Sequence, residues 1–356
     1  MPSKVRVLHR TYVTIIYPKK PHKIKWLFLL VSPSFKHIKD NVSTIAIISI
    51  KLMIFENLSF ILYLKEKKIK YKMNILVYGS KGWIGTMLIK KWRELYPTYK
   101  FIGSETRVSP ENINILKSEI VKADRVFCCI GRTSGGNIPN IDYLEDKVNE
   151  NVKDNLFAPL LLCKLSDSLG VHFSYIGTGC IFSENTREDC YKYTEEDIPD
   201  YFGSAYSVVK GYTDTLMKLF NFNTLNLRIR MPVTDDWSPK NFIAKISKFE
   251  NICSYPNSMT YLPDLIPIMI DMSMRKITGT YNMVNGSMSH KEILDLYAEI
   301  IDEKHTYNLI EEDKLDTLLK AKRSNNILEN TKLCSSYKVR PLKECVIEAL
   351  TNMKKN

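Results

Sequence analysis

The stretch Met73-Asn74-Ile75-Leu76-Val77-Tyr78-Gly79-Ser80-Lys81-Gly82-Trp83-Ile84-Gly85 decides the fold. Asn74–Tyr78 is a short, mostly apolar run that reads as a strand, and Trp83–Tyr96 reads as a helix that ends before Pro97. Glycines at 79, 82 and 85 punctuate the turn between them. Glycine permits a tight turn and lets the backbone approach a pyrophosphate, whose charge the helix N-terminus then stabilises. In this strand–turn–helix setting the pattern points to a dinucleotide held by Gly79, Lys81, Gly82, Trp83, Ile84 and Gly85. The competing reading is an ordinary glycine-rich turn.

Outward from this turn the pattern alternates. Tyr99–Gly103, Arg125–Ile130, His172–Ile176 and Thr224–Arg228 read as further strands, and Asn112–Lys122, Glu145–Leu169 and Ser204–Phe220 as helices. The run Arg125–Ile130 is almost wholly apolar, as a strand buried on both faces is. Such alternation predicts an α/β chain built on a Rossmann-type doubly wound parallel sheet. After about residue 235 it weakens, although His290–Ile301 still reads as a helix. The expected division is a dinucleotide-binding domain over 73–235, then a smaller mixed lobe over 236–356 that mainly binds substrate.

Charge is unevenly placed. Residues 1–72 hold 15 Lys/Arg against Asp40, Glu56 and Glu66, an excess equal to the +12 of the whole 356-residue chain. The rest is therefore balanced, whereas nucleic-acid binding needs basic residues clustered on the binding domain; nucleic acid is excluded as a partner. Residues 1–72 also lack glycine, while all 14 glycines follow. The longest apolar stretch there, Thr44–Leu64, is broken by Lys51, Glu56 and Asn57, which argues against a membrane span, and no secretory leader is recognisable. The expectation is a disordered or non-native extension without catalytic role, such as an upstream start codon would add, with Met73 opening the first strand directly. All eight cysteines lie beyond residue 72 and form no C-x-x-C pair, which suits reduced thiols in the cytoplasm and gives no zinc site. The six histidines are scattered, so no metal is expected.

A second constellation carries chemistry. Gly177-Thr178-Gly179-Cys180 follows the fourth strand, and Tyr206-Ser207-Val208-Val209-Lys210 opens a helix. Tyr206 and Lys210 are four apart and share a helix face. A tyrosine that acts as acid or base must ionise near neutrality, and a lysine one turn away supplies a cation that lowers its pKa. Thr178 can polarise the same carbonyl oxygen. Together with the glycine loop, whose G-x-x-G-x-x-G spacing is the extended form, these residues identify the chain as a member of the short-chain dehydrogenase/reductase superfamily. For the cofactor, Glu105 at the tip of the second strand favours a free ribose hydroxyl, while Arg107 and Lys81 favour a 2′-phosphate. The reading leans to NADPH, with NADH the alternative.

A third set narrows the substrate. Thr178-Gly179-Cys180-Ile181-Phe182, Asn226–Pro232, Asn241–Ser247, Pro256–Thr260 and Arg323–Asn326, in this order, resemble the bifunctional UDP-4-keto-6-deoxyglucose 3,5-epimerase/4-reductase family. That family is known as the C-terminal half of plant rhamnose synthases and as a stand-alone protein of large DNA viruses. The resemblance spans about Met73 to Val346. It implies that Thr178, Tyr206 and Lys210 are the reductase triad, and that Cys180 and Lys245 are the acid/base pair of the epimerase. It also implies that Thr133, Asn241, Asn257 and Arg323 contact substrate, and that Asn155 is the superfamily's bracing asparagine. The implied partners are a UDP-sugar and, functionally, a UDP-glucose 4,6-dehydratase; a homodimer is compatible with the family. One segment departs from it. The loop Gly131–Tyr143 is longer than the family's, and Ile138 stands where arginine is usual, with Arg132 the candidate replacement. Two readings compete with the bifunctional one. The first is a 4-keto-reductase alone, like dTDP-4-dehydrorhamnose reductase. The second is a non-catalytic NADP-binding regulatory subunit, although such relatives usually lose the Tyr or the Lys.

Overall fold

The computed structural model describes residues 13–20, 23–29, 72–183 and 191–355. The chain divides into two units at Tyr71/Lys72. In the first, Val13–Lys20 pairs antiparallel with Lys23–Leu29. The sequence reading expects a disordered or non-native extension over 1–72; these two segments are rich in β-branched and aromatic residues, which suit a strand. The remainder of that expectation falls outside the described residues.

The second unit is built on six parallel strands: β1 (Asn74–Tyr78), β2 (Lys100–Gly103), β3 (Arg125–Cys128), β4 (His172–Thr178), β5 (Thr224–Ile229) and β6 (Gly279–Asn282). They lie in the order β2-β1-β3-β4-β5-β6. The helices that shape the site are α1 (Trp83–Leu95), α2 (Ile113–Ile120), α3 (Ala158–Ser168), α4 (Ala205–Met217), α5 (Phe242–Ile246) and α6 (Leu262–Met274). Alternate residues of a strand face opposite sides of the sheet. Ile75 and Val77 therefore pack with Leu88 and Trp92 of α1 and with Leu265 and Met269 of α6. Leu76 and Tyr78 pack on the other side with Leu116 of α2 and Leu162 of α3. This is the doubly wound layering that the alternating pattern predicts.

Two details differ from the sequence reading. The long helix expected over 145–169 is three pieces: Val148–Val152, a π turn over Lys153–Phe157, and α3. Pro159 has no N–H to offer the carbonyl of Asn155 four residues earlier, and that carbonyl instead accepts from the Thr213 hydroxyl at 2.7 Å. The second detail is β6. After leaving the parallel sheet at Ile229 the chain returns to it through α6 and Gly279–Asn282, so residues 236–356 are not one continuous lobe. What stands apart is a three-stranded mixed sheet, Gly286–Ser289, Pro256–Tyr261 and Pro232–Val233, over a core that includes Tyr261, Ile293 and Val346.

Because β1 is flanked by β2 on one side and β3 on the other, the connections reverse direction between β1 and β3. In open α/β sheets that reversal leaves a crevice at the carboxyl ends of the strands.

Candidate active site

The glycine loop lies at that crevice. Gly79 has φ +76°, and a Cβ there would stand 2.8 Å from the Cys129 carbonyl carbon. A Cβ on Gly85 would collide with the Gly79 carbonyl oxygen, so α1 can approach β1 this closely only with glycine. Gly82 caps α1 without a side-chain bond, and no acid sits in the first turn. The positive end of the helix is thus unopposed and the backbone is bare, which fits a pyrophosphate.

The two cations expected near a 2′-phosphate differ in their ties. Lys81 pairs with Glu105 at 2.6 Å, both side chains largely exposed, and its ammonium holds the Glu105 carboxyl below the ordinary range. Lys81 also lines a cleft of about 680 Å³ with Ser80, Gly103 and the α1 residues Lys90 and Arg93. Arg107 is bound to Asp154 at 2.7 Å, and Arg132 takes the other oxygen of the same nearly buried carboxylate. Arg132, the candidate replacement for the missing loop arginine, is therefore already engaged. Ile138 at that position is exposed.

Thr178 ends β4, and its hydroxyl accepts from the Cys180 N–H at 3.1 Å. Tyr206 and Lys210 are buried on α4, whose cap Ser204 accepts from the Ser207 N–H. The sequence reading has Lys210 lowering the pKa of Tyr206. Burial pushes the Tyr206 phenol well above its ordinary value, Cys180 adds to the shift, and a hydrogen bond with Thr178 opposes it. Lys210 donates to the hydroxyl of Tyr175 on β4, and burial brings its own pKa down to about 8. Asn155, fully buried in the π turn, accepts from the Arg132 N–H at 2.8 Å and donates to the Arg132 carbonyl at 2.9 Å. It ties the loop after β3 to the helix that faces α4.

Cys180 sits against Arg230, whose Nη1 lies 3.3 Å from Sγ. Lys245 is on α5 and donates to the Pro139 carbonyl at 3.3 Å; burial, with Arg323 adding to it, lowers its pKa. Arg323 in turn is paired with Asp142 at 3.0 Å. The departing loop, Lys245 and Arg323 therefore form one cluster.

The other expected sugar contacts fare differently. Asn241 is fully buried as the cap of α5, accepting from the Ile243 N–H and donating to the Thr234 and Asp236 carbonyls. Asn257 is fully buried between Arg230, Asn325 and Asn326. Both amides bond to the protein itself. Thr133 is exposed on the loop. Tyr175, Asp154 and Arg230 escape the sequence reading. Arg230 alone had a local signal, an arginine at the end of a strand inside a family motif.

No family model matches the chain. It is 45% identical over 270 residues to the uncharacterized protein L780 of Acanthamoeba polyphaga mimivirus, an alignment covering 74% of this chain and 93% of that one. The crystal structure of that virus's L780 UDP-rhamnose synthase superposes with a TM-score of 0.75 at 43% identity, covering 80% of this chain and all of the other. A bifunctional dTDP-4-dehydrorhamnose 3,5-epimerase/dTDP-4-dehydrorhamnose reductase of Arabidopsis thaliana is 36% identical over 281 residues, 77% of this chain and 91% of the relative. A trifunctional Arabidopsis thaliana UDP-glucose 4,6-dehydratase/UDP-4-keto-6-deoxy-D-glucose 3,5-epimerase/UDP-4-keto-L-rhamnose-reductase is 33% identical over 276 residues, 75% of this chain and 40% of that protein. These identities span nearly the whole of the first two relatives and agree with the family that the motifs from Thr178 to Asn326 indicate. The chain belongs to the family of bifunctional 3,5-epimerase/4-keto-reductase enzymes of nucleotide-linked rhamnose synthesis.

Proposed function

We propose that this enzyme converts UDP-4-keto-6-deoxy-D-glucose to UDP-L-rhamnose, by epimerisation at C3 and C5 and then NADPH-dependent reduction at C4. The observation that carries the reading is the meeting of Thr178, Cys180 and Tyr206 at the carboxyl end of β4. A 4-keto group acidifies the hydrogens on C3 and C5. Cys180 and Lys245 exchange those protons, while Thr178 and Tyr206 stabilise the enolate oxygen. Gly79, Gly82 and Gly85, with Trp83 and Ile84 opening α1, would hold NADPH, which would supply the hydride. Tyr206, held protonated by burial, gives its proton to the C4 oxygen, and Lys210 keeps a positive charge beside it. Arg323 orients the substrate from the same cluster as Lys245, and Thr133 faces it from the loop.

The ketone has to be supplied by 4,6-dehydration of UDP-glucose, so a UDP-glucose 4,6-dehydratase is the functional partner. The described cysteines are all free thiols, which suits a cytoplasmic setting. The reductase-only reading leaves Cys180 and Lys245 without work. The test is incubation with the ketone, as its UDP and dTDP forms, and NADPH in D₂O, followed by NMR of the sugar. L-Rhamnose deuterated at C3 and C5 is expected from the UDP form. Cys180→Ala and Lys245→Ala should each abolish wash-in, and wild-type wash-in in both variants would leave only the reductase.

A further inference from the structure

Arg230 follows β5 directly, and its side chain is 1% exposed. Its acceptors among the described residues are the Gly179 carbonyl at 3.4 Å, the Cys180 sulfur at 3.3 Å, the Asn257 side-chain oxygen and the Ser324 carbonyl. Three of these are neutral oxygens. The sulfur is the member of the set able to carry a full negative charge. A guanidinium so far from water is costly unless an opposite charge or several well-placed acceptors compensate it. Burial pulls Arg230 below its ordinary value, and Cys180 opposes that pull.

The backbone is shaped to keep the arginine there. Met231 has φ +37°, a left-handed conformation uncommon for a residue with a side chain. Such strain persists only where the surroundings over-determine it. The Arg230 N–H bonds to the Thr260 hydroxyl and its carbonyl accepts from the Thr260 N–H, both at 2.9 Å, clamping the arginine to the small sheet from both sides.

We propose that Arg230 is a positioning residue for epimerisation: it aims the Cys180 sulfur and balances its negative charge when the proton is elsewhere. The inference rests on Cys180 being an acid/base of the reaction, as above. The Cys180 thiolate takes the proton from C3 or C5. An S–H bond forms as the C–H bond breaks, and the electron pair passes to the C4 oxygen as enolate. The Lys245 ammonium returns a proton to the opposite face, N–H breaking as the new C–H forms and the carbonyl is restored. Exchange with water resets the sulfur and the amine. The Arg230 guanidinium, 3.3 Å from Sγ, stays beside the sulfur through this cycle.

The test compares the wild type with Arg230→Gln and Arg230→Lys. One measurement is deuterium wash-in at C3 and C5 relative to NADPH oxidation on pre-epimerised UDP-4-keto-L-rhamnose. The other is the rate at which iodoacetamide alkylates Cys180 at neutral pH, read by peptide mass mapping against exposed Cys334. In the wild type Cys180 should react faster than Cys334 although it is less accessible. In Arg230→Gln both its alkylation and the ratio of wash-in to reduction should drop about tenfold or more, and Arg230→Lys should recover part of each. Folded Arg230→Gln with an unchanged ratio overturns the proposal. If that variant does not fold, slower alkylation of wild-type Cys180 than of Cys334 overturns it. Wild-type wash-in in Cys180→Ala would instead remove the underlying assignment, a separate and distinguishable failure.

Discussion

Lys210 donates to the hydroxyl of Tyr175 and lies 4.6 Å from the centre of that ring, although Tyr206 stands one turn away on its own helix. The lysine is thus held by the strand behind it, at the buried heart of the sheet. In the proposed mechanism its ammonium is a positive charge beside Tyr206, and burial already brings its pKa down to about 8. Deleting an acceptor of the ammonium disfavours the charged form further. In Tyr175→Phe the alkaline fall of reductase kcat/KM should therefore begin at lower pH, by about one unit, since a hydrogen bond to a charged group contributes about 1.5–3 kcal/mol. A pH–rate profile on the pre-epimerised ketone checks this, and an unmoved alkaline limb would show that Tyr175 does not support the lysine.

The cofactor's 2′-phosphate should be read by Lys81 rather than Arg107. The Lys81–Glu105 pair is exposed on both sides, and such pairs are worth little, so Lys81 swings free at small cost. Arg107 is different: releasing it would leave the nearly buried Asp154 with one cation fewer. Lys81→Ala should weaken NADPH binding by about tenfold more than NADH binding. Arg107→Ala should weaken both to a similar extent. Fluorescence titration of each reduced cofactor measures the two ratios, and a selective loss in Arg107→Ala alone would reverse the assignment.

What the sequence showed and what it hid divide along a physical line. The turn from Tyr78 to Trp83 was legible because glycine spacing and apolar runs are local, and Tyr206 with Lys210 because helix spacing is local. Hidden features depend on residues far apart in the chain. Lys210 meets Tyr175 from another element, Arg230 reaches Cys180 fifty residues back, and the segment at Gly279–Asn282 becomes a sheet strand only because Leu225–Arg228 offers it an edge. The π turn had a signal, Pro159 inside an apolar helical run, but its consequence needed Thr213 on another helix. The protein partners of the Asn241 and Asn257 amides were hidden too, because a motif shows that a polar residue is present and not which way its amide faces.

Acid should destabilise the fold through two histidines, His172 buried and His290 half-buried. Burial lowers His172 and His290 from 6.5 to about 4, and His172 bonds the Ile277 carbonyl at 2.8 Å. Between these values the unfolded chain binds protons that the folded chain refuses, so stability rises with pH. The contribution is complete above about 6.5 and is lost as pH falls towards about 4. The melting temperature should drop by several degrees from neutral pH to pH 5, and less in a folded His172→Gln variant. Identical pH slopes in wild type and variant would assign the loss to other groups.

Tyr206→Phe separates the two chemistries. The phenol is buried and held protonated, with Cys180 and Thr178 as neighbours. In the proposed mechanism, removing its hydroxyl removes the proton donor for the C4 oxygen and leaves Cys180, Lys245 and Thr178 in place. Reduction should fall by roughly 10²–10⁴-fold, the scale of general-acid catalysis. Proton exchange at C3 and C5 needs only a stabilised enolate and an acid/base pair, so deuterium wash-in should persist at a reduced rate with Thr178 alone on the oxygen. The product pool should then contain deuterated ketone, including the epimerised form, with little rhamnose. NMR of the sugar beside NADPH consumption reads both quantities in one tube. Loss of wash-in to the same degree as reduction would mean that Tyr206 is as necessary for the enolate as for the alcohol, and the two steps would then share a single acid.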